Sequence, residues 1–573
     1  MKKSIKCLSA VLMTSVLAVS AGAVAAPTFA GAYDITMSST TGHTYTAYQV
    51  FTGDLYESGT TKTLSNIHWG NGVNKTALIT ALTGDTTYGA AFSTALSGKT
   101  TDDEKAAAVA SVIDTYTDDS AAIKAISKII ANNLSSTTAG TATTTSEITG
   151  LAAGYYFIKD TTASDSMPAG GTYSDFMLKV VSDVTVAAKD ETVTSDKKVT
   201  DANDSDGSTE PNKTTADYDI GDDVPYVLTF TLPAKYAEYK KYPITFTDDM
   251  CAGLTYNGDA KIYYGAGDTT GTTISLSTTT GTEYTGGQKY TYSIADLKAA
   301  QAAAETGSAL KSLAAGSVIR IEYTAKLNAG AVIGSAGNPN KYSVTFANDP
   351  TWYDDGVGGT QPDTPPTGTT PPVTNTVFTY KLVVNKVKSD NTALTGADFD
   401  LYKFVKVDTT GMSAEDKTTA GIVSETIGGS AVEGKWTLVT ALNTGSGAAN
   451  PSKTKTASGG VTDSVFTFSG LDDGHYKLHE ETTPDGYNSI DDIVFDIAPT
   501  ADGTLANIAL GTLTFTADST AGSLTGDVVN NAGVTLPGTG GIGTTVFYII
   551  GGLMITGALV LFIVKKRMNI KEK

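Results

Sequence analysis

Tyr476-Lys477-Leu478-His479-Glu480-Glu481-Thr482-Thr483-Pro484-Asp485-Gly486-Tyr487 is the stretch from which the architecture can be read. Side chains on a β-strand alternate with a period of two, so Tyr476, Leu478 and Glu480 share one face. Two large apolar groups turn that face to a core, and Glu480 goes with them while Glu481 points out. A carboxylate in an apolar interior is costly unless it is neutral or partnered. Glu480 therefore calls for a partner from elsewhere in the chain.

The alternation recurs on both sides of this strand. Lys381-Leu382-Val383-Val384-Asn385-Lys386-Val387 and Leu394 to Tyr402 precede it, and Gly522 to Asn530 follow, outlining a domain over 377–531. Upstream, Tyr226 to Leu232 and Val318 to Tyr323 are the clearest strands of a domain over 191–358, with Ile294 to Leu313 as one alanine-rich helical insertion. Between the two, Gln361-Pro362-Asp363-Thr364-Pro365-Pro366-Thr367-Gly368 and Pro371-Pro372 read as a semi-rigid spacer over 359–376. A first domain, 31–190, opens with strands at Tyr33 to Met37 and His43 to Tyr48, and is helical between Asn74 and Asn133. There Asp102-Asp103-Glu104 put acids at the positive end of one helix. Ile123, Ile126, Ile129 and Ile130 mark the buried stripe of another. Strands resume at Gly154 to Ile158 and Phe176 to Val186.

Composition agrees with an all-β chain of several domains. The 573 residues allow about three or four. Thr, Gly, Ser and Tyr abound, only 17% of residues are charged, and short alternating runs dominate, as in β-sandwiches. The formal charge is -20, and both apolar ends are basic, so the segment between them is more acidic still. That argues against nucleic-acid binding. Four His, and Cys251 as the one cysteine outside the N-terminal leader, leave little for a His-based triad or a zinc site. No cofactor is indicated, and a structural or adhesive role is favoured over an enzyme. Asp201-Ala202-Asn203-Asp204-Ser205-Asp206-Gly207 resembles the start of a calcium loop, but its twelfth position is Asn212 rather than a bidentate glutamate. It reads as a polar hairpin turn, and no metal is assigned.

The two ends set the location. Residues 1–30 combine Lys2, Lys3 and Lys6, an apolar run, and small residues at Ala23-Val24-Ala25 and Thr28-Phe29-Ala30, the pattern of a secretory signal peptide. At the other end 544–564 are apolar or small and long enough to span a bilayer. Lys565-Lys566-Arg567 head the basic tail 565–573, which stays in the cytoplasm. Within 532–543, Leu536-Pro537-Gly538-Thr539-Gly540 matches the LPxTG sorting signal of sortase substrates. In such a protein the sortase cysteine attacks the Thr539 carbonyl, and an amine resolves the thioester.

From leader to tail the chain resembles the major shaft pilins of sortase-assembled Gram-positive pili. Its middle domain resembles a fimbrial isopeptide-formation domain, and its third a Cna-B-type, prealbumin-like domain, with the E-box pattern YxLxExxxPxGY at Tyr476 to Tyr487. The resemblance implies tandem Ig-like/Cna-type β-sandwich domains with helical insertions, and a set of cross-linking residues. Val184-Thr185-Val186-Ala187-Ala188-Lys189 stands where such pilins carry the lysine that accepts the next subunit, although Ala187-Ala188 replaces the familiar tyrosine-proline. In the middle domain the resemblance implies Lys197, Asp248 and Asn348, with Lys198 and Asp249 as neighbouring alternatives. In the third it implies Lys386, Glu480 and Asn530, with Asn531 as the alternative. Burial lowers a lysine's pKa and raises a carboxylic acid's. A neutral amine can then attack the carboxamide while the acid moves the proton, and ammonia leaves. The first domain shows no comparable set.

The expected function is that of a structural backbone subunit of a covalent surface pilus that supports adhesion, not an enzyme beyond this single autocatalytic step. The expected partners are identical subunits, pilus-specific and housekeeping sortases, peptidoglycan, minor pilins and host surface ligands. The alternative is a monomeric LPxTG wall-anchored adhesin or a minor pilin, which shares both ends and makes no use of Lys189.

Overall fold

The computed structural model describes residues 32–38, 42–58, 61–117, 120–143, 147–188, 191–352, 364–439, 454–455, 464–534 and 542–569. The leader, Lys189 and the sorting signal Leu536 to Gly540 lie outside the described residues. The architecture is mostly β, in three sandwich units followed by an apolar helix.

The first unit sets a three-stranded sheet, in which Tyr33–Ser38 lies between Glu147–Leu151 and Val184–Ala187, beside a five-stranded sheet built on Thr44–Ser58. Four helices, Lys75–Gly84, Gly89–Leu96, Asp102–Asp114 and Ala121–Ala131, cover one face. The third starts at a capping box in which the Thr101 hydroxyl accepts from the Glu104 amide and the Glu104 carboxylate reaches back to the Thr101 amide. The fourth buries Ile123, Ile126 and Ile130 against Phe157 and Met177, which supplies the apolar stripe that keeps so short a helix formed.

The middle unit packs two seven-stranded sheets. One carries Ser195–Asn203, Asp223–Thr231 and Val318–Leu327; the other carries Val373–Phe378, Asn338–Ala347 and Ile244–Met250. Two expectations are corrected here. The stretch from Ile294 to Leu313 is not one helix: a strand ends at Ile294, a helix runs Leu297–Ala303, and a single 3-10 turn follows at Leu310–Ser312. Gly307, at φ +89°, lies between the two helical pieces in a conformation no helix continues. The proline-rich stretch is not a spacer from Thr364 onward. Thr367–Thr369 and Val373–Phe378 both pair with Asn338–Ala347, and the buried Thr370 hydroxyl accepts from the Val344 amide. The unit thus reaches Phe378 and not 358, because the prolines sit where no ladder N–H is needed while the threonines between them complete the sheet.

The third unit faces a six-stranded sheet against a five-stranded one around Leu382, Val384, Phe399, Leu401, Tyr476 and Phe515. Its first strand, Tyr380–Lys388, runs parallel to its last, Ser523–Asn530, with Lys386 opposite Val528 and Lys388 opposite Asn530. Gly470, at φ +81°, lies where this unit meets the middle one; a Cβ there would stand 2.8 Å from the Ile220 side chain. The helix Ile542–Asn569 contains a span, Val546–Met568, long and apolar enough to cross a membrane, with none of it buried.

Candidate functional site: buried lysines in the sandwich cores

Among the described residues three lysines are buried, Lys197, Lys386 and Lys403. Each sits on the inward parity of its strand, and each meets carboxylates.

Lys386 projects from the first strand of the third unit between its two sheets and is fully buried, as is Asn530 at the end of the last strand. Its amine contacts the Asn530 Oδ1 and lies 3.0 Å from Glu480 Oε1. The Asn530 amide donates to the same Glu480 oxygen at 2.8 Å. The other oxygen, Oε2, accepts from the Thr483 hydroxyl at 3.1 Å and from the Ile490 amide at 3.3 Å. One carboxyl group therefore touches both the Lys386 amine and the Asn530 amide nitrogen. Burial pushes the Lys386 amine below its ordinary value, against the pull of Glu480, which favours the neutral nucleophile. The Phe399 ring, 5.2 Å away, walls the site. Glu481 and Asn531 are exposed.

In the middle unit Lys197 and Asp248 come from opposite sheets and meet in the core, Lys197 fully buried and Asp248 nearly so. The amine contacts Asp248 Oδ1, and the Tyr323 hydroxyl donates to Oδ2. That hydroxyl is 3.2 Å from the Lys197 amine and accepts from the Asn340 amide at 2.8 Å. Burial brings the Lys197 amine down to about 8 despite Asp248, and the Tyr226 ring lies 4.8 Å from it. Burial and Asp248 together hold the Tyr323 hydroxyl well above its ordinary value, so it stays protonated. Lys198 pairs with Asp196 at the surface, and Asp249 turns toward Lys289. The parity of both strands thus selects Lys197 and Asp248.

Asn348 does not reach this cluster. Asp248 lies opposite Tyr342 in the sheet, and Asn348 is six residues further on, about 20 Å along an extended chain. It serves the seam with the first unit instead: its side-chain amide donates to the Gly171 carbonyl at 3.3 Å, and its backbone carbonyl accepts from the Tyr173 amide at 2.8 Å. Asn340, fully buried, is the asparagine whose amide reaches the cluster through the Tyr323 hydroxyl; the side-chain oxygens of Asn340 and Asn348 alike lack a hydrogen-bond partner among the described residues. A buried carbonyl oxygen left open is unusual.

Lys403 is the residue that sequence reasoning missed. Phe399, Leu401 and Lys403 share a face, but the partners of Lys403 come from two units: Asp472 from its own, Asp219 at 2.9 Å and Asp204 at 3.4 Å from the middle one. The first unit offers no buried lysine among its described residues; its buried side-chain pair is His43 hydrogen-bonded to Asp160, at 2.7 Å. The calcium-like segment forms the end of strand Ser195–Asn203 and a turn in which Asn203 and Asp206 side chains accept from the Ser205 and Ser208 amides.

Comparison with known proteins follows the same division. Residues 380–510 match a family described as a prealbumin-like fold domain, and 528–569 match the LPXTG cell wall anchor motif. The trypsin-resistant surface T6 protein of a serotype M6 Streptococcus pyogenes is 26% identical over 380 residues, 61% of this chain and 65% of that protein. This chain therefore spans just under two thirds of that relative's length. Among solved structures, the T6 backbone pilin of S. pyogenes aligns over 88% of this chain and 99% of its own, at 16% identity and a TM-score of 0.45. The major pilin SpaD of Corynebacterium diphtheriae aligns over 88% and 98%, at 15% identity and a TM-score of 0.41.

Proposed function

We propose that this chain, a secreted, cell-wall-attached surface protein of a Gram-positive bacterium with an LPXTG anchor and a prealbumin-like domain, is the repeating backbone subunit of a covalent pilus. The observation that carries the reading is the pair of buried lysine–acid–asparagine clusters in successive sandwiches of an exported chain that holds no disulfide among its described residues.

In the third unit the Lys386 amine attacks the Asn530 side-chain carbonyl carbon, and Glu480 takes a proton from the amine and returns it to the leaving nitrogen. A C–N bond forms, a C–N bond breaks, and ammonia departs. In the middle unit Lys197 attacks Asn340, Asp248 acts as the acid, and the Tyr323 hydroxyl carries the proton between Asp248 and the amide. Between subunits a sortase breaks the Thr539–Gly540 bond and joins Thr539 to an amine of the next subunit, for which Lys189 is the candidate.

Expression of Lys189→Ala in the native host tests the assembly. The wild type gives a ladder of high-mass species on a denaturing gel, and the variant gives one wall-linked band. Ladders that persist in the variant would move the acceptor to another lysine. A single band already in the wild type would mark a monomeric anchored adhesin instead.

A further inference from the structure

The middle and third units meet at a seam that is densely hydrogen-bonded and overloaded with acid. The Asp472 amide donates to Asp219 at 3.1 Å, the Asp473 amide to Asp217 at 2.7 Å, and the His475 amide to the Ser205 hydroxyl at 2.9 Å. The Ile220 amide donates to the Gly470 carbonyl at 3.0 Å. The middle unit brings Asp201, Asp204, Asp217, Asp219 and Asp222 to this seam; the third brings Asp472, Asp473, the phenols of Tyr380 and Tyr476, and Lys403. Among the described residues Lys403 is the one buried lysine against these seven carboxyl groups, and Lys213 and Lys326 stand at the periphery.

Lys403 is not a third nucleophile. Burial alone would lower its amine, as it does for Lys197 and Lys386, but Asp219 and Asp472 override burial and hold it well above its ordinary value. It remains an ammonium, and the seven acids around one cation carry a surplus of negative charge once they ionise.

We propose that the joint between the middle and third units is a proton-tightened hinge, closed around Lys403 in mildly acidic surroundings and loosened as the surroundings become neutral to basic. The sign follows from the acids. Burial, then Asp219, raise Asp222 to about 7, and burial raises Asp473 to about 6. Burial, then the neighbouring acids, hold Asp217 and Asp472 well above the carboxylate range. A carboxyl group whose value is raised in the closed joint binds its proton more tightly there than when opened to water. Its stabilising contribution is complete at low pH and is lost as pH rises through the raised value. The loss therefore begins above the ordinary carboxylate value of about 4 and is complete by about pH 6 for Asp473 and about pH 7 for Asp222. Lys403, raised as well, contributes across the whole of that range and fixes which groups meet.

Hydrogen exchange in the chain without its membrane helix, which packs against nothing in the structure, tests the hinge. The amides of Ile220, Asp472, Asp473 and His475 report opening, and those inside strand Asp223–Thr231 report the unit itself. After correction for the intrinsic pH dependence of exchange, protection of the four seam amides is expected to fall as pH rises from about 5 to about 7, by up to about tenfold per pH unit for each proton that opening releases, while the strand amides stay level. Asp222→Asn with Asp473→Asn makes that fall shallower, because two of the acids no longer ionise while Asp217 and Asp472 still do. Lys403→Met lowers protection at every pH; should that variant not fold, the asparagine pair still decides. Seam protection that is flat with pH, or that follows the strand amides, or that falls as steeply in the asparagine pair as in the wild type, overturns the proposal.

Discussion

Purified chain lacking leader and membrane helix, made in a host without any sortase, is expected to weigh less than its sequence by two molecules of ammonia. Each missing ammonia belongs to one core. Glu480→Ala should restore one and Asp248→Ala the other, since the acid in each case handles the proton without which the amine and the amide do not react. The middle unit gives the sharper test, because two asparagines compete for the role. Asn340→Ala should restore an ammonia and Asn348→Ala should not, on the strength of the Tyr323 hydroxyl that touches both Lys197 and Asn340. Tyr323→Phe removes that relay while keeping the ring, and is expected to leave a mixture of linked and unlinked chains. Wild-type mass equal to the sequence mass would sink both bonds. A restored ammonia in Asn348→Ala alone would return the acceptor to that residue.

Loss of either bond should also lower thermal stability by a large step. Lys386 and Asn530 are 144 residues apart, and a cross-link closing a loop of that length removes unfolded-chain entropy worth about 5 kcal/mol if disulfide arithmetic transfers. For a unit of this size that is a fall of roughly 10–20 °C in melting temperature. Glu480→Ala is expected to show it in the third unit's transition by calorimetry. Glu480→Gln separates two causes, since it keeps hydrogen bonds to Thr483 and Ile490 while removing the proton carrier. A small shift in that variant, with the bond absent by mass, would mean that the cross-link contributes little.

The third unit was legible because its evidence is local. Period-two alternation alone aimed Glu480 inward and Glu481 outward, and the cost of a buried carboxylate demanded a partner. Lys386 and Asn530 then fell on the first and last strands of the same sandwich. The middle unit was half legible. Strand parity favours Lys197 and Asp248, but Asn340, Tyr342, Val344, Phe346 and Asn348 all share one face, so parity cannot choose between the asparagines. Only the register that sets Asp248 opposite Tyr342 does, and register lies in the pairing of distant strands. Lys403 was hidden for the same reason, since Asp219 lies 184 residues away in another unit. The proline-rich stretch misled through composition: its prolines announce an extended chain, while the sheet edge that receives Thr367–Thr369 is written far upstream.

The parallel pairing of Tyr380–Lys388 with Ser523–Asn530 has a mechanical meaning. Tension that enters at the start of the first strand and leaves beyond the last pulls the two along their length in opposite senses, which loads their hydrogen bonds in shear, all at once, not one after another as in unzipping. With Lys386 bonded to Asn530, that tension would run only from Tyr380 to Lys386 and out through Asn530, a path of about 25 Å. The intervening chain, which would otherwise pay out to roughly 480 Å when stretched, hangs as a side loop that carries no force. A chain bonded in this way would be close to inextensible in its third unit: it would hold its length or break a covalent bond, with no yielding state between.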